Sequence, residues 1–177
     1  MSRPLKVLAI SGSLRRGSTN TAMLQAMAQL APPDMAVTLF DGLGALPHFN
    51  PDIESDEIAS VGRYRAALAE ADGVLISTPE YAHGIPGVMK NALDWVVGSG
   101  ELVEKPIALI NPSPRSSYAQ AAIMEVLWTM SGRLIEEAFV AVQMMGRKLP
   151  EGGMASDAEI AAKLRESLAT LARIIRA

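Results

Sequence analysis

Short apolar segments that are typical of buried strands alternate along this chain with segments rich in helix-forming residues. The strand-like segments are residues 5–10, 36–40, 73–77, 106–110 and 139–142, and helix-like sequence covers residues 20–30, 56–70, 86–97, 116–131 and 156–175. A continuous apolar strand followed by a helix is typical of a parallel sheet with helices on both faces. The alternation therefore predicts a doubly wound α/β fold, in which ligands bind at the carboxyl ends of the strands.

The composition is typical of one globular domain. The 177 residues are 49% hydrophobic and 20% charged, so we expect a single domain over residues 1–177. A net charge of -3 argues against nucleic acid as a partner. No segment has the roughly 20 apolar residues of a membrane span, so we expect a cytoplasmic protein without a membrane partner.

Cysteine is absent from the sequence, and histidine occurs only at His48 and His83. Disulfides, thiolate nucleophiles and thiolate metal sites are therefore excluded, and two isolated histidines argue against a metal site. Any redox chemistry must come from a bound cofactor.

The loop after the first strand, residues 11–20, has the composition of an anion site. Its candidate binding residues are Ser11, Ser13, Leu14, Arg15, Ser18, Thr19 and Asn20. Because the loop leads into a helix, free backbone N–H groups and the positive end of the helix dipole face the same point. A terminal phosphate fits this arrangement. The alternative is that the serines and the asparagine only cap the helix.

Two other phosphate-binding motifs do not fit this loop. Gly12 and Gly17 have the spacing of a P-loop, but Ser18 stands where that motif requires lysine. A dinucleotide-binding loop requires G-x-G-x-x-G, and here hydroxyl residues replace the glycines. A monophosphate held by hydroxyl groups is the better match.

A second loop, residues 78–87, follows the third strand at the same sheet edge. Pro86 suits the first turn of the next helix, so unpaired N–H groups near residues 84–88 are free to face a ligand carbonyl. Such donors suit the pyrimidine end of a flavin.

Two motifs in these loops resemble the NAD(P)H-dependent FMN reductase family of flavodoxin-like proteins, which also includes quinone, azo and chromate reductases. The first is Gly-Ser-Leu-Arg-x-x-Ser-x-Asn at residues 12–20. The second is Pro-Glu-Tyr-x-x-Gly-x-Pro-Gly-x-Met-Lys-Asn-Ala-x-Asp-Trp at residues 79–95. The resemblance implies a flavodoxin-like three-layer sandwich, with a five-stranded parallel sheet in the order 2-1-3-4-5 and helices on both faces.

The resemblance also implies which residues bind FMN. Those that would hold the phosphate are Ser13, Arg15, Ser18 and Asn20, and those that would lie beside the isoalloxazine, largely through their backbone, are Pro79, Glu80, Tyr81 and Gly84. Ala82 stands where the family commonly has asparagine, so only its backbone is left to make a contact. His83 is either a solvated loop residue or a group at the flavin edge.

A third loop, residues 111–118, follows the fourth strand and reaches the same edge. We expect Ser113 to contact the cofactor, although family members often have several glycines where this chain has prolines and an arginine. The alternative for Ser113, Arg115 and Ser117 is a cap on the next helix.

Helical segments 88–97 and 121–130 carry apolar residues around more of their circumference than contact with a sheet requires. A second buried face favours a homodimer or a dimer of dimers, which agrees with what the resemblance implies. Core packing within a monomer is the alternative.

Together these features indicate an NAD(P)H-dependent FMN oxidoreductase. We expect hydride to pass from NADPH or NADH through flavin N5 to a quinone, free flavin or similar small acceptor, with no catalytic side chain. The alternative is a flavodoxin-type electron carrier without its own NAD(P)H oxidase activity. Such carriers usually present a strongly acidic face, and a net charge of -3 is mild.

Overall fold

The strands of the sheet all pair in parallel. In the computed structural model, which describes residues 3–53 and 58–177, they are β1 (Leu5–Ser11), β2 (Met35–Phe40), β3 (Gly73–Ser77), β4 (Pro106–Asn111), β5 (Arg133–Leu134) and β6 (Val140–Ala141). They are ordered β2-β1-β3-β4-β5, and β6 also pairs with β4. The predicted strand order is therefore confirmed.

Helices connect the strands and cover both faces of the sheet. They are α1 (Thr19–Leu30), α2 (Ala59–Glu70), α3 (Gly87–Asp94), α4 (Ser117–Thr129) and α5 (Ala158–Arg176). The Asp157 carboxylate caps α5 by accepting a hydrogen bond from the Ile160 N–H at 3.1 Å, which satisfies a donor without an intrahelical partner. Within the described ranges, none of the helices is both long and apolar enough to span a bilayer.

The core has two layers because successive residues of a strand point to opposite faces of the sheet. Val7 and Ala9 of β1 pack with buried side chains of α1 and α5. Leu8 and Ile10 pack on the other face with buried side chains of α2, α3 and α4. Since both faces are covered, the interior strands are apolar at nearly every position, and this produced the continuous apolar segments in the sequence.

The last part of the sheet differs from the sequence-based expectation. The strand predicted at residues 139–142 is reduced to β6, and β5 forms at Arg133–Leu134, where no strand was predicted. A short 3-10 turn, Glu136–Ala138, separates them. A two-residue strand such as β5 carries too little apolar periodicity to be recognised, and the acidic residues that follow it interrupt the pattern further.

Helix boundaries also shift. The end of α4 lies at Thr129 rather than residue 131, because Ser131 adopts a left-handed backbone conformation with φ +59°. The end of α3 lies at Asp94 rather than residue 97. The predicted start of α2 at residue 56 lies outside the described residues.

The connection between β2 and α2 is held against α3 by hydrogen bonds. Asn91 accepts a hydrogen bond from the Phe49 N–H at 2.7 Å and donates one to the Pro47 carbonyl at 2.9 Å. The Trp95 indole donates to the same carbonyl at 2.8 Å and packs edge-on against the Phe49 ring. Asn91 and Trp95, two positions of the second motif, therefore have structural roles.

Candidate functional site

The loops after β1, β3 and β4 meet at one edge of the sheet. Ser11 and Ser77 are paired in register at the ends of β1 and β3. A cleft of about 490 Å³ opens there, which is within the size range of small-molecule sites. It is lined by residues from the three loops and from the segment after β6, namely Arg15, Thr19, Asn20, Thr78, Pro79, Glu80, Asn111, Pro112, Ser113, Ser116, Met144 and Met145.

Gly12 brings the first loop against the end of β3. Its N–H donates to the Ser77 carbonyl at 2.8 Å. A Cβ at this position would lie 2.2 Å from Thr78 Oγ1, so any other residue would force the two loops apart. Gly12 therefore sets the spacing between the first and second loops.

The N-terminus of α1 faces the cleft. Thr19 and Asn20 begin this helix and line the cleft, and N–H groups in the first turn have no intrahelical acceptor. Arg15 adds a guanidinium from the loop. Amide, hydroxyl and guanidinium donors together suit a phosphate, whose oxygens accept hydrogen bonds. Ser18 is the N-cap, and its buried hydroxyl accepts from the Thr21 N–H at 3.4 Å.

Two side-chain hydrogen bonds fasten α1 to the strand ends. The hydroxyls of Ser11 and Thr21 lie 2.8 Å apart. Ser77 Oγ donates to Asn20 Oδ1 at 2.9 Å, and both partners are buried, with exposed fractions of 0% and 7%. The start of α1 is therefore tied to β1 and to β3 at the cleft.

The second loop contains a tight turn. The N–H and carbonyl groups of Tyr81 and Gly84 exchange two hydrogen bonds of 3.0 Å. Between them, Ala82 and His83 have φ of +49° and +58°, the left-handed values of a type I′ turn. Asparagine adopts this conformation more readily than other non-glycine residues, which explains its common use at the position of Ala82.

Two contacts join the second loop to α4. The Glu80 carboxylate accepts a hydrogen bond from the Ala119 N–H, in the first turn of α4, at 2.9 Å. This satisfies an otherwise unpaired donor and places negative charge at the positive end of the helix. The rings of His83 and Tyr118 stack with centroids 4.2 Å apart and planes inclined by 15°. Because the Glu80 side chain is engaged here, its backbone is the part left for a ligand.

The third loop is a compact turn held by Asn111. The Asn111 side chain accepts from the Ser113 N–H at 2.8 Å and donates to Gln120 Oε1 at 2.8 Å. The Met144 N–H donates to the Pro112 carbonyl at 3.1 Å, which brings the segment after β6 to the cleft. Arg115 and Ser117 are exposed and do not line the cleft.

Residues 5–145 match the model of the family described as NADPH-dependent FMN reductase. The chain belongs to this family. The match spans β1 to the segment after β6, so it includes every loop of the cleft, and it confirms the resemblance carried by the two motifs.

Members of this family and related structures resemble the chain to different extents. A 2-hydroxy-1,4-benzoquinone reductase from Burkholderia sp is 42% identical over 112 residues, which are 62% of this chain and 61% of that relative. A quinone reductase from Pseudomonas putida is 32% identical over 175 residues, covering 94% of this chain and 88% of the relative. The solved structure of FerB, a flavoenzyme NAD(P)H:(acceptor) oxidoreductase from Paracoccus denitrificans, matches with a TM-score of 0.85 and 28% identity over 97% of each chain. The match to the Burkholderia reductase spans less than two thirds of the length of that relative.

The structure brings six of the fourteen predicted cofactor-binding residues to the cleft, namely Arg15, Thr19, Asn20, Pro79, Glu80 and Ser113. The others stand outside its lining for identifiable reasons. Ser11 and Ser18 are bonded to Thr21, and Ser13 Oγ accepts from the Arg15 N–H within the loop at 3.4 Å. Leu14 is 63% exposed and lies over Gly44. The remaining predicted residues, Tyr81, Ala82, His83 and Gly84, form the tight turn beyond Glu80.

Sequence reasoning missed several lining residues. Thr78 and Asn111 lie directly at the ends of β3 and β4, so the rule that ligands bind at strand ends would have included them. Met144 and Met145 follow β6, which lies within the strand predicted at residues 139–142, so the same rule would have pointed to the segment after it. Ser77, which is buried beside the cleft and not in its lining, was also missed, because it was interpreted only as the last residue of an apolar strand.

Proposed function

We propose that this family member is an NAD(P)H-dependent oxidoreductase that binds FMN and passes two electrons to a small acceptor such as a quinone or free flavin. The convergence of the α1 N-terminus, Arg15 and two further polar loops on one cleft carries the proposal. The names of the Burkholderia and Pseudomonas relatives and of FerB support the reaction class.

The phosphate of FMN would be held at the first loop. Thr19 and Asn20 offer first-turn N–H groups and side-chain donors, and Arg15 offers a guanidinium. These groups fit a dianion, because each one donates hydrogen bonds and the guanidinium and helix dipole add positive potential. The geometry thus favours an anion site in addition to the cap that Ser18 supplies.

The ring of FMN would extend between the second and third loops. Pro79, Glu80 and Ser113 line that part of the cleft, and the Glu80 side chain is engaged with α4. When bound, FMN would supply the redox chemistry by taking two electrons from the nicotinamide nucleotide and giving them to the acceptor. The protein would supply binding and orientation.

The test has a binding arm and a turnover arm. Protein freed of flavin is titrated with FMN while flavin fluorescence is followed, and oxidation of NADPH or NADH is then measured with quinones, free FMN, azo dyes and metal oxyanions. We expect FMN binding and turnover with at least one small acceptor. Binding without turnover would favour an electron carrier that needs a protein partner, and absence of binding would refute the proposal.

Arg15 and Arg16 form a matched pair for locating the phosphate. Both are exposed arginines of the same loop, and only Arg15 lines the cleft. We expect Arg15→Ala to weaken FMN binding about tenfold, the size of one charge-assisted hydrogen bond, and Arg16→Ala to have little effect. The Michaelis constant for NADPH in the same variants tests whether Arg15 also attracts the nucleotide. Equal losses in both variants would contradict the phosphate assignment.

We further propose that the protein is a homodimer, or a dimer of dimers, which packs through the ends of α3 and α4. Val97, which follows α3, and Trp128, near the end of α4, are 57% and 71% exposed, and Met124 and Trp128 line an open depression. Large exposed apolar side chains favour association. Sedimentation should show a mass above that of the monomer, and Trp128→Glu should reduce it; a wild-type monomer at micromolar concentration would refute the proposal.

We propose the cytoplasm as the compartment, because NAD(P)H is supplied there.

A further inference from the structure

Ser77 holds both ends of the first loop. It lies at the carboxyl end of β3 and is completely buried. Its carbonyl accepts a hydrogen bond from the Gly12 N–H at 2.8 Å, at the start of the loop. Its hydroxyl donates to Asn20 Oδ1 at 2.9 Å, at the other end of the loop.

The side-chain amide of Asn20 has one end that suits a phosphate and one that does not. Phosphate oxygens without a proton only accept hydrogen bonds, so they pair with the Nδ2 donors and repel Oδ1. In the structure Oδ1 is turned toward Ser77, while Asn20 also lines the cleft. The amide nitrogen is therefore the end left for a ligand.

We propose that Ser77 is a positioning residue for the FMN phosphate, because its hydroxyl donates to Asn20 Oδ1 and so stabilises the amide with Nδ2 toward the cleft. The inference rests on the proposed binding of that phosphate at the first loop. Without the hydroxyl, Oδ1 becomes a buried acceptor that has lost its donor. Rotation of the amide relieves this cost, but it turns Oδ1 toward the phosphate.

The experiment compares two flavins that differ only in the phosphate. The affinities of flavin-free Ser77→Ala protein for FMN and for riboflavin are measured by quenching of flavin fluorescence. We expect FMN affinity to fall about tenfold, the effect of one lost buried hydrogen bond, and riboflavin affinity to change less than about twofold. Equal losses for the two flavins would show a general structural effect and would overturn the proposal.

Ser167→Ala is the matched control. Ser167 is also a buried serine, with 2% exposure, and its hydroxyl donates to the Ala138 carbonyl at 2.5 Å, in the layer formed by α5 and away from the cleft. The Ser167→Ala variant loses one buried hydrogen bond, as Ser77→Ala does. Because that bond is away from the cleft, the ratio of FMN to riboflavin affinity should stay at the wild-type value. A fall in that ratio similar to that of Ser77→Ala would count against a specific role. Ser77→Thr retains the hydroxyl, so it should keep the wild-type ratio of FMN to riboflavin affinity, and a fall like that of Ser77→Ala would contradict a role of the hydroxyl.

The Asn20→Ala variant tests separately whether Asn20 contacts the phosphate and whether Ser77 acts through Asn20. It should lower FMN affinity without affecting riboflavin, and adding Ser77→Ala to it should cause no further loss, because Ser77 acts through Asn20. Independent losses that multiply would overturn the positioning role. If Asn20→Ala leaves FMN affinity unchanged, the phosphate does not contact Asn20. That result would refute both the assignment of Asn20 to the phosphate site and the positioning role of Ser77. A loss in Asn20→Ala with none in Ser77→Ala overturns only the role of Ser77.

Discussion

The left-handed turn at residues 81–84 allows a stabilising substitution to be predicted. Ala82 has φ of +49°, a conformation that costs an L-residue about 1 kcal/mol or more and that asparagine tolerates better. Asparagine is also favoured at the first central position of a type I′ turn. We therefore expect Ala82→Asn to raise the free energy of unfolding by about 0.5–1 kcal/mol. For a chain of this size, that corresponds to a rise in Tm of about 1–4 °C.

The assay is urea and thermal unfolding of the flavin-free protein. Ala66→Asn is the matched control, because Ala66 is also exposed but lies within α2, in right-handed helical conformation. Asparagine has a lower helix propensity than alanine, so this variant should lose about 0.5 kcal/mol. The same chemical change should thus have opposite signs at the two positions. A neutral or destabilising effect at Ala82, with the expected loss at Ala66, would refute the left-handed assignment.

Three further changes test other contacts. Gly12→Ala places Cβ 2.2 Å from Thr78 Oγ1, so urea unfolding should show a loss of about 1–3 kcal/mol, and an unchanged midpoint would contradict the close approach. Glu80→Gln removes the charge that caps Ala119, so Tm should fall by about 2–4 °C, an effect that salt should reduce. The Arg3 guanidinium, assisted by the Lys6 N–H, holds the pKa of Asp72 below its usual value. The stability that Asp72 contributes is therefore complete at neutral pH and is lost as the pH falls below about 4, through the folded-state pKa. Asp72→Asn should be less stable than wild type at pH 7, with a gap that closes in acid; a gap that persists there would contradict the ion pair.

Much of the fold could be predicted because its signals are local. The β1 and β3 segments are apolar on both faces, and Ser18 and Pro32 mark the limits of α1 in the sequence itself. Where the signal was short it was less accurate: β5, which has two residues, was missed, and β6 was predicted two residues too long. The motifs likewise identified the first and second loops of the cleft but not which of their side chains face it.

Positions along the chain determined which loops reach the ligand edge, because each loop directly follows a parallel strand. Only the tertiary structure decided the roles within those loops, because the decisive partners are distant in sequence. Ser77 and Asn20 are 57 residues apart, and Glu80 and Ala119 are 39 apart. Whether a hydroxyl orients an amide, or a carboxylate caps a helix, depends on contacts that exist only after the strands have paired.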